Sequence, residues 1–239
     1  MKRALQVIAV VVTVLVVAVG SVWYRAFASN SDIVDAKLVA PGVETVKDGF
    51  VAAYVVDAGA GKVVLIDAGK DRSAAAIQAA LARRGLGPTA VSAIFLTHGH
   101  GDHIAGCKAF PGATVYALDG DSSLVREAAD TMTAVHDGEV VQVGDARIET
   151  FAVPGHTPGS AVYLARGVLF FGDSAGASKE GVMMKAVSLF SKSSSENVSS
   201  LKALAARLAS RSDEVKHLAF GHTGPLDGLV PLTAFASGH

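Results

Sequence analysis

A single cysteine in 239 residues excludes an intrachain disulfide and any cysteine-rich zinc module. Cys107 stands in the stretch Ile104-Ala105-Gly106-Cys107-Lys108-Ala109-Phe110 and is expected to pack as a small apolar side chain. A catalytic thiol needs a depressed pKa, of which the sequence carries no sign. A basic run or stripe is missing as well. The 21 Lys and Arg residues are matched by 22 Asp and Glu, and a net charge of -1 lacks the footprint of a nucleic-acid binder. Proline is scarce, at 7 residues scattered with glycines at segment boundaries, so no linker forms. No internal repeat occurs. What the chain does have is apolar material: half of its residues are hydrophobic and 25 are glycine. That is a globular composition, sufficient for one large domain or two small ones.

The longest hydrophobic run is N-terminal. Met1-Lys2-Arg3 precedes an uncharged stretch from Ala4 to Tyr24, broken only by Gln6, Thr13 and Ser21. About 20 apolar residues suffice to cross a bilayer as a helix. Ala26-Phe27-Ala28 has the small-x-small form of a cleavage site, with a polar stretch from Ser29 to Asp32 behind it. Residues 1–28 are therefore expected to be a transmembrane or signal helix. Basic residues before the run favour a cytoplasmic N-terminus. Residues 29–239 are then exported, either membrane-anchored or released as a periplasmic or extracellular domain.

Downstream of residue 36 the pattern is one of strands and turns. The runs 50–56 and 62–67 flank Ala58-Gly59-Ala60-Gly61 as a hairpin. A helix over 72–84 is closed by Gly85, and a short buried strand follows over 91–96. Strands are predicted over 113–118, 140–143, 147–152, 161–164 and 168–171, with a short helix over 121–130. Leucines at 201, 204 and 208 predict an amphipathic helix over 196–211, and 215–220 reads as a last strand. Hairpins interrupted by helices give an α+β arrangement of two layered sheets with helices outside.

The chemistry is concentrated in Thr97-His98-Gly99-His100-Gly101-Asp102-His103, where four metal-ligating side chains fall within six residues at the end of a strand. Alternate residues of an extended segment share a face, so His98 and His100 are expected to point the same way. Asp102 and His103 fall past the turn. Gly99 and Gly101 are expected to supply unusual dihedrals. Two sets of ligands suit two metals about 3.5–4 Å apart. Three further strand ends carry such residues: His156 in Val153-Pro154-Gly155-His156-Thr157-Pro158-Gly159-Ser160, Asp173 in Phe170-Phe171-Gly172-Asp173-Ser174, and His222 in Phe220-Gly221-His222-Thr223-Gly224.

Taken in order, His98-x-His100-x-Asp102-His103, His156, Asp173 and His222 resemble the metallo-β-lactamase superfamily, over a span from Asp67 to Gly224. The resemblance implies a four-layer αββα sandwich with metals at one edge. It implies that His98, His100 and His156 hold one metal, that Asp102, His103 and His222 hold the other, and that Asp173 bridges both. Asp67, in Ile66-Asp67-Ala68-Gly69, matches the family's aspartate that orients a ligand histidine through its free ring N–H.

Histidine and carboxylate ligands without a thiolate suit two zinc ions and tolerate iron or manganese. The expected activity is hydrolysis of a small-molecule ester, thioester or lactone by a metal-bound hydroxide, a metal lowering the pKa of its water to about 7. Asp102 is expected to hold its metal and to orient the nucleophile. Asp173, where many zinc β-lactamases have a cysteine, is closer to the glyoxalase II and lactonase groups. The helical glutathione-binding extension of glyoxalase II is expected to be missing, because the sequence stops at His239. A β-lactam substrate is one alternative. Another is persulfide dioxygenation by a single iron on residues matching His98, His156 and Asp173. The stretch 175–198 is read either as a cover over the site or as a plain surface connection. His136, His217 and His239 are read as ordinary surface histidines, and the glycosylation pattern at Asn197 as accidental.

Overall fold

The computed structural model describes residues 28–238 without a break, together with residues 10, 12–14, 17 and 20. The chain divides into two compact units, residues 1–30 and 31–239. The transmembrane or signal helix expected over 1–28 lies largely outside the described residues. Among those described, no helix is long and apolar enough to cross a membrane.

The second unit is built on two large sheets. The first takes seven strands in sequence order: β1 (Leu38–Ala40), β2 (Val43–Asp48), β3 (Val51–Asp57), β4 (Val63–Ile66), β5 (Val91–Phe95), β6 (Thr114–Leu118) and β7 (Thr133–Val135). The second contains β8 (Val140–Val143), β9 (Ala146–Ala152), β10 (Ala161–Ala165), β11 (Val168–Phe170), β14 (His217–Ala219) and β15 (Leu226–Asp227), running from β15 at one edge to β8 at the other, with β14 beside β11. A two-stranded ribbon of β12 (Ala175–Ala177) and β13 (Met183–Lys185) stands apart. The helices are α1 (Ala75–Arg83), α2 (Gly101–Ile104), α3 (Ser122–Ala128), α4 (Ser194–Leu208) and α5 (Val230–Gly238).

The strands read as unbroken apolar runs because both faces are buried, and successive side chains point to opposite sides. Ala52, Tyr54 and Val56 of β3 and Val64 and Ile66 of β4 face Ala161, Tyr163, Val168 and Phe170 across the space between the sheets. The alternate residues Ala53, Val55, Val63 and Leu65 pack outward under Ile77, Leu81 and Val125 of α1 and α3. On the far side Val162, Leu164 and Leu169 pack under Leu201, Leu204, Leu208 and Phe235 of α4 and α5. Three apolar layers thus separate helix, sheet, sheet and helix.

Local signals place the ends of these elements. Gly85, at a φ of 70°, closes α1. Its N–H reaches the carbonyl of Ala82, and that of Leu86 reaches Leu81, which is the paired bonding of a Schellman cap. Ser193 caps α4 by accepting the N–H of Glu196. Several elements depart from the sequence expectation: β7, the β12–β13 ribbon and β15 were not expected, and α5 forms over Val230–Gly238 where no helix was expected.

A half-buried ion pair links β9 to the turn after α4. Arg211 donates to both oxygens of Glu149, at 2.9 and 2.8 Å, and to Glu214. These bonds hold the Glu149 carboxyl below the ordinary range. A depressed folded pKa stabilises the fold above the unfolded value of about 4.3 and ceases to do so as pH falls through the folded value. Replacing Glu149 by Gln is expected to cost about 1–3 kcal/mol at pH 7. Urea midpoints of the two proteins should converge below pH 3, and a gap that persists there would contradict the assignment.

Candidate metal centre

Strand direction gathers the site at one edge of the sandwich. β4, β5 and β6 pair in parallel, as do β11 and β14. β9 is antiparallel to β10, which is antiparallel to β11, so β9 and β11 run the same way. The C-terminal ends of β4, β5, β9, β11 and β14 lead directly to Asp67, His98, His156, Asp173 and His222. Two tyrosines fasten these ends across the sandwich. Tyr163 donates its hydroxyl to the carbonyl of Leu96 at 2.8 Å, and Tyr54 donates to that of Phe220 at 2.7 Å. Backbone bonds from Ala161 to Thr97, Gly221 to Gly172 and Ala52 to Gly221 tie the loops to one another.

The seven residues expected to ligate metal are brought together at this edge. Among the described residues two groups of donor atoms form, each with all atoms within 4.8 Å of one another: His98, His100, His156 and Asp173, and Asp102, His103 and His222. Asp173 stands between them. Its Oδ2 lies 3.6 Å from His156 Nε2 and 3.9 Å from His98 Nε2, and 3.1 Å from His222 Nε2. Its Oδ1 is 3.2 Å from His103 Nε2. Asp102 Oδ2 lies 3.3 Å from His222 Nε2.

The ring atoms facing away from this centre are engaged, which fixes the orientation of each ring. His103 Nδ1 meets Asp67 Oδ2 at 2.8 Å, and His222 Nδ1 donates to the Phe50 carbonyl at 2.9 Å. His98 Nδ1 is 3.1 Å from the Thr97 hydroxyl, and His156 Nδ1 is 3.2 Å from that of Ser191. Asp67 reaches this position from a left-handed backbone, φ 61°, while its other oxygen accepts the N–H of Thr97 at 2.8 Å. That region costs energy outside glycine and tends to persist at functional sites.

The inward-facing atoms are the unusual ones. His98 Nε2, His103 Nε2 and Asp173 Oδ1 are buried and lack a well-formed hydrogen bond, although the last two face each other as an ion pair at 3.2 Å. Buried polar atoms without a partner are costly, on the order of 1–3 kcal/mol each. Three converging on one point fit a bound cation, and nitrogen and oxygen donors without sulfur are the set that zinc accepts. Charge agrees with this. Burial, with His103 nearby, holds His98 well below the ordinary histidine range, and burial pushes His156 down to about 4, so both rings offer neutral nitrogen at pH 7. Burial alone would raise the Asp173 carboxyl, but His103 and His222 hold it well below the carboxylate range. Against the pull of burial, Asp102 and Asp173 push His222 up to about 10. The carboxylates demand positive charge at this point.

The structure corrects one local reading. Neither Gly99 nor Gly101 lies in the left-handed region. Gly99 is required for space, since a Cβ there would meet Leu124 at 2.9 Å and Asp121 at 3.0 Å. Gly101 opens α2 with nothing near it. The stretch 175–198 is more than a plain connection: it forms the β12–β13 ribbon and a turn carrying exposed Leu189 and Phe190, and its Ser191 touches His156. Phe50, 62% exposed, stacks on the His222 ring at 5.7 Å, with Lys70 Nζ 5.5 Å from the centre of its own ring. Sequence reasoning assigned no role to Phe50, Ser191 or Asp121. An aromatic residue beside Gly49 at a hairpin tip was the one available signal.

Outside the site, Cys107 is buried, which pushes its thiol up to about 12 and leaves it unreactive. His217 pairs with Asp227 at 2.9 Å, and His136 is exposed. His239 lies outside the described residues. Asn197 is fully buried, accepting from the N–H of Ala186 and donating to the carbonyl of Ser174, so it is not a glycosylation acceptor in the folded chain.

A family model for the metallo-β-lactamase superfamily matches residues 46–222, and the chain belongs to that superfamily. It is 36% identical over 118 residues to the hydroxyacylglutathione hydrolase of Salmonella paratyphi A, a match taking in 48% of this chain and 43% of that protein. The match to the protein of that name from Salmonella newport has the same extent, and the chain spans less than half the length of these curated relatives. Among solved structures, a metallo-β-lactamase family protein from Thermus thermophilus aligns with a TM-score of 0.62 at 22% identity, covering 84% of this chain and 80% of that one. A B3 metallo-β-lactamase with an active site glutamic acid aligns with a TM-score of 0.64 at 20% identity, covering 90% and 89%. At such identities the likeness concerns the fold alone.

Proposed function

We propose that this chain is a metal-dependent hydrolase that cleaves an ester, thioester or lactone with two divalent metal ions, zinc in the first place. The position of Asp173 carries this reading: one carboxylate stands within 3.1–3.9 Å of histidines from both donor groups, and His98 Nε2, His103 Nε2 and its own Oδ1 are buried without well-formed hydrogen bonds. His98, His100 and His156 would hold one ion, Asp102, His103 and His222 the other, and Asp173 both. Such ions supply Lewis acidity and bring the pKa of water to about 7. The remaining work falls to the chain. Asp67, Thr97, Ser191 and the Phe50 carbonyl keep the ring nitrogens aimed inward. Asp102 is the more exposed of the two central carboxylates, at 27% against 14% for Asp173, and would hold its metal and help to orient the attacking water. Phe50 and the exposed Leu189 and Phe190 offer apolar surface to a substrate. The names of the Salmonella relatives support an acyl-cleaving hydrolase. The uncharged run from Ala4 to Tyr24 supports an exported domain, which fractionation of expressing cells tests directly.

Metal content and a substrate panel test this reading together. About two zinc ions per chain, with turnover of an ester, thioester or lactone, is the expected result, and a β-lactam belongs in the same panel. A single iron with oxygen uptake on a persulfide would replace the hydrolase by a dioxygenase. A folded chain that binds no metal would overturn both.

A further inference from the structure

The carboxylate of Asp121 joins the two loops that carry three of the histidines. It is 2% exposed. Its Oδ2 accepts the N–H of Gly99 at 2.8 Å and the hydroxyl of Thr157 at 2.6 Å, and its Oδ1 accepts the N–H of Gly159 at 2.9 Å. Gly99 sits between His98 and His100, and Thr157 follows His156. The Thr157 hydroxyl is also 2.8 Å from that of Ser160, which accepts the Thr157 N–H in turn.

The contact is closely fitted from several sides. A Cβ on Gly159 would collide with the backbone nitrogen and carboxylate of Asp121, and one on Gly120 with the backbone of Pro158. Gly99 is constrained by the same side chain. Gly159 thus leaves room for the carboxylate itself, while Gly120 and Gly99 let the Pro158 backbone and the Asp121 and Leu124 side chains come close beside it. Hydrogen bonds to an ionised acceptor are roughly twice as strong as neutral ones, so the clasp is stiff. Its consequence is metric: it sets the distance between the His98–His100 segment and the His156 segment, where His156 Nε2 and His100 Nδ1 already stand 3.0 Å apart.

We propose, resting on the metal-binding reading above, that Asp121 is the positioning residue of the His98–His100–His156 group and sets that group's affinity for a divalent cation. The Asp102–His103–His222 group depends instead on Asp67. Residues one step behind the ligands typically contribute about 10- to 100-fold in metal affinity, and Asp121 is assigned an effect of that size on one group only.

Zinc titration of the metal-stripped chain against a chromophoric chelator yields two successive dissociation constants. Asp121→Asn is expected to weaken one by about 10- to 100-fold and to leave the other within about twofold. In a His222→Ala background, which cripples the second group, the remaining constant should shift by the same factor. Thr157→Val, which keeps the shape of the side chain, should weaken the same constant in part, and Thr157→Ser, which keeps the hydroxyl, should restore it. These two variants decide the matter if Asp121→Asn does not fold. Unchanged constants in the Asp121 and Thr157→Val variants, or equal weakening of both, would overturn the assignment while leaving the metal centre standing. A native chain that takes up no zinc would remove both.

Discussion

Replacing Asp173 by alanine is expected to abolish stable metal binding and to lower turnover by more than the roughly 100-fold that residues behind the ligands contribute. Among the described residues, no other carboxylate comes within 4 Å of histidines in both donor groups. Its two oxygens stand within 3.1–3.9 Å of His98, His103, His156 and His222. Without it, the rings of His103 and His222 lose the negative charge that offsets their burial, and the first group keeps only its three imidazole donors. On the proposed two-metal reading, the cations would have no anion between them to offset their repulsion. The fold should survive, because Asp173 sits in a short turn after β11 and its Oδ1 makes no well-formed hydrogen bond. Asp173→Asn keeps the shape and separates charge from packing; it should fail almost as fully. Metal content by elemental analysis, turnover of the ester or thioester found active, and far-UV circular dichroism together decide this. A variant with full metal content and turnover within about threefold of native would dismiss Asp173 as the bridging group.

The clustering of the candidate ligands was legible in the sequence because they follow the ends of β-branched or aromatic strands, and all but His103 are flanked by glycine. His98 and His100 fall in the same donor group, as spacing along an extended segment predicts, and Asp102 and His103 fall in the other, past the turn in α2. Asp121 was not legible. It meets Gly99, Thr157 and Gly159, which lie 22, 36 and 38 residues away, and within its own segment it reads as any aspartate before a short helix. The ribbon of β12 and β13 has strands of three residues, too short for alternation to register. α5 escaped for the opposite reason: Val230-Pro231-Leu232-Thr233-Ala234-Phe235 is apolar around its whole girth, so no helical stripe stands out, although Leu232 and Phe235 are buried beside α4. The strand pattern predicted the sandwich because its core is apolar on both faces of each sheet. It could not show which loops are drawn together by polar contacts over long separations.

Phe95→Ala is expected to produce the largest loss of stability of any single substitution considered, about 3–5 kcal/mol. The ring is fully buried between the sheets, stacked on Tyr116 at 4.6 Å and edge-on to Tyr163 at 5.3 Å. Close-packed neighbours on both sides cannot collapse into the space without breaking the Tyr163 hydroxyl bond to Leu96. For a domain of this size each kcal/mol corresponds to about 2–4 °C, so the melting temperature should fall by roughly 6–20 °C. The loss also bears on function, since Phe95 is followed directly by Leu96, Thr97 and His98, and its carbonyl accepts the N–H of Asp67 at 3.0 Å. Zinc at a thousand times its dissociation constant should stabilise the native chain by about 4 kcal/mol. A cavity under the strand end that delivers His98 and Asp67 should weaken that site, so the zinc-induced rise in melting temperature is expected to be smaller in the variant. Calorimetric scans of both proteins with and without zinc measure the two effects at once. A variant melting within about 3 °C of native would show that the ring is not the wedge between the sheets. An equal zinc-induced rise in both proteins would show instead that the metal loops are insulated from the core beneath them.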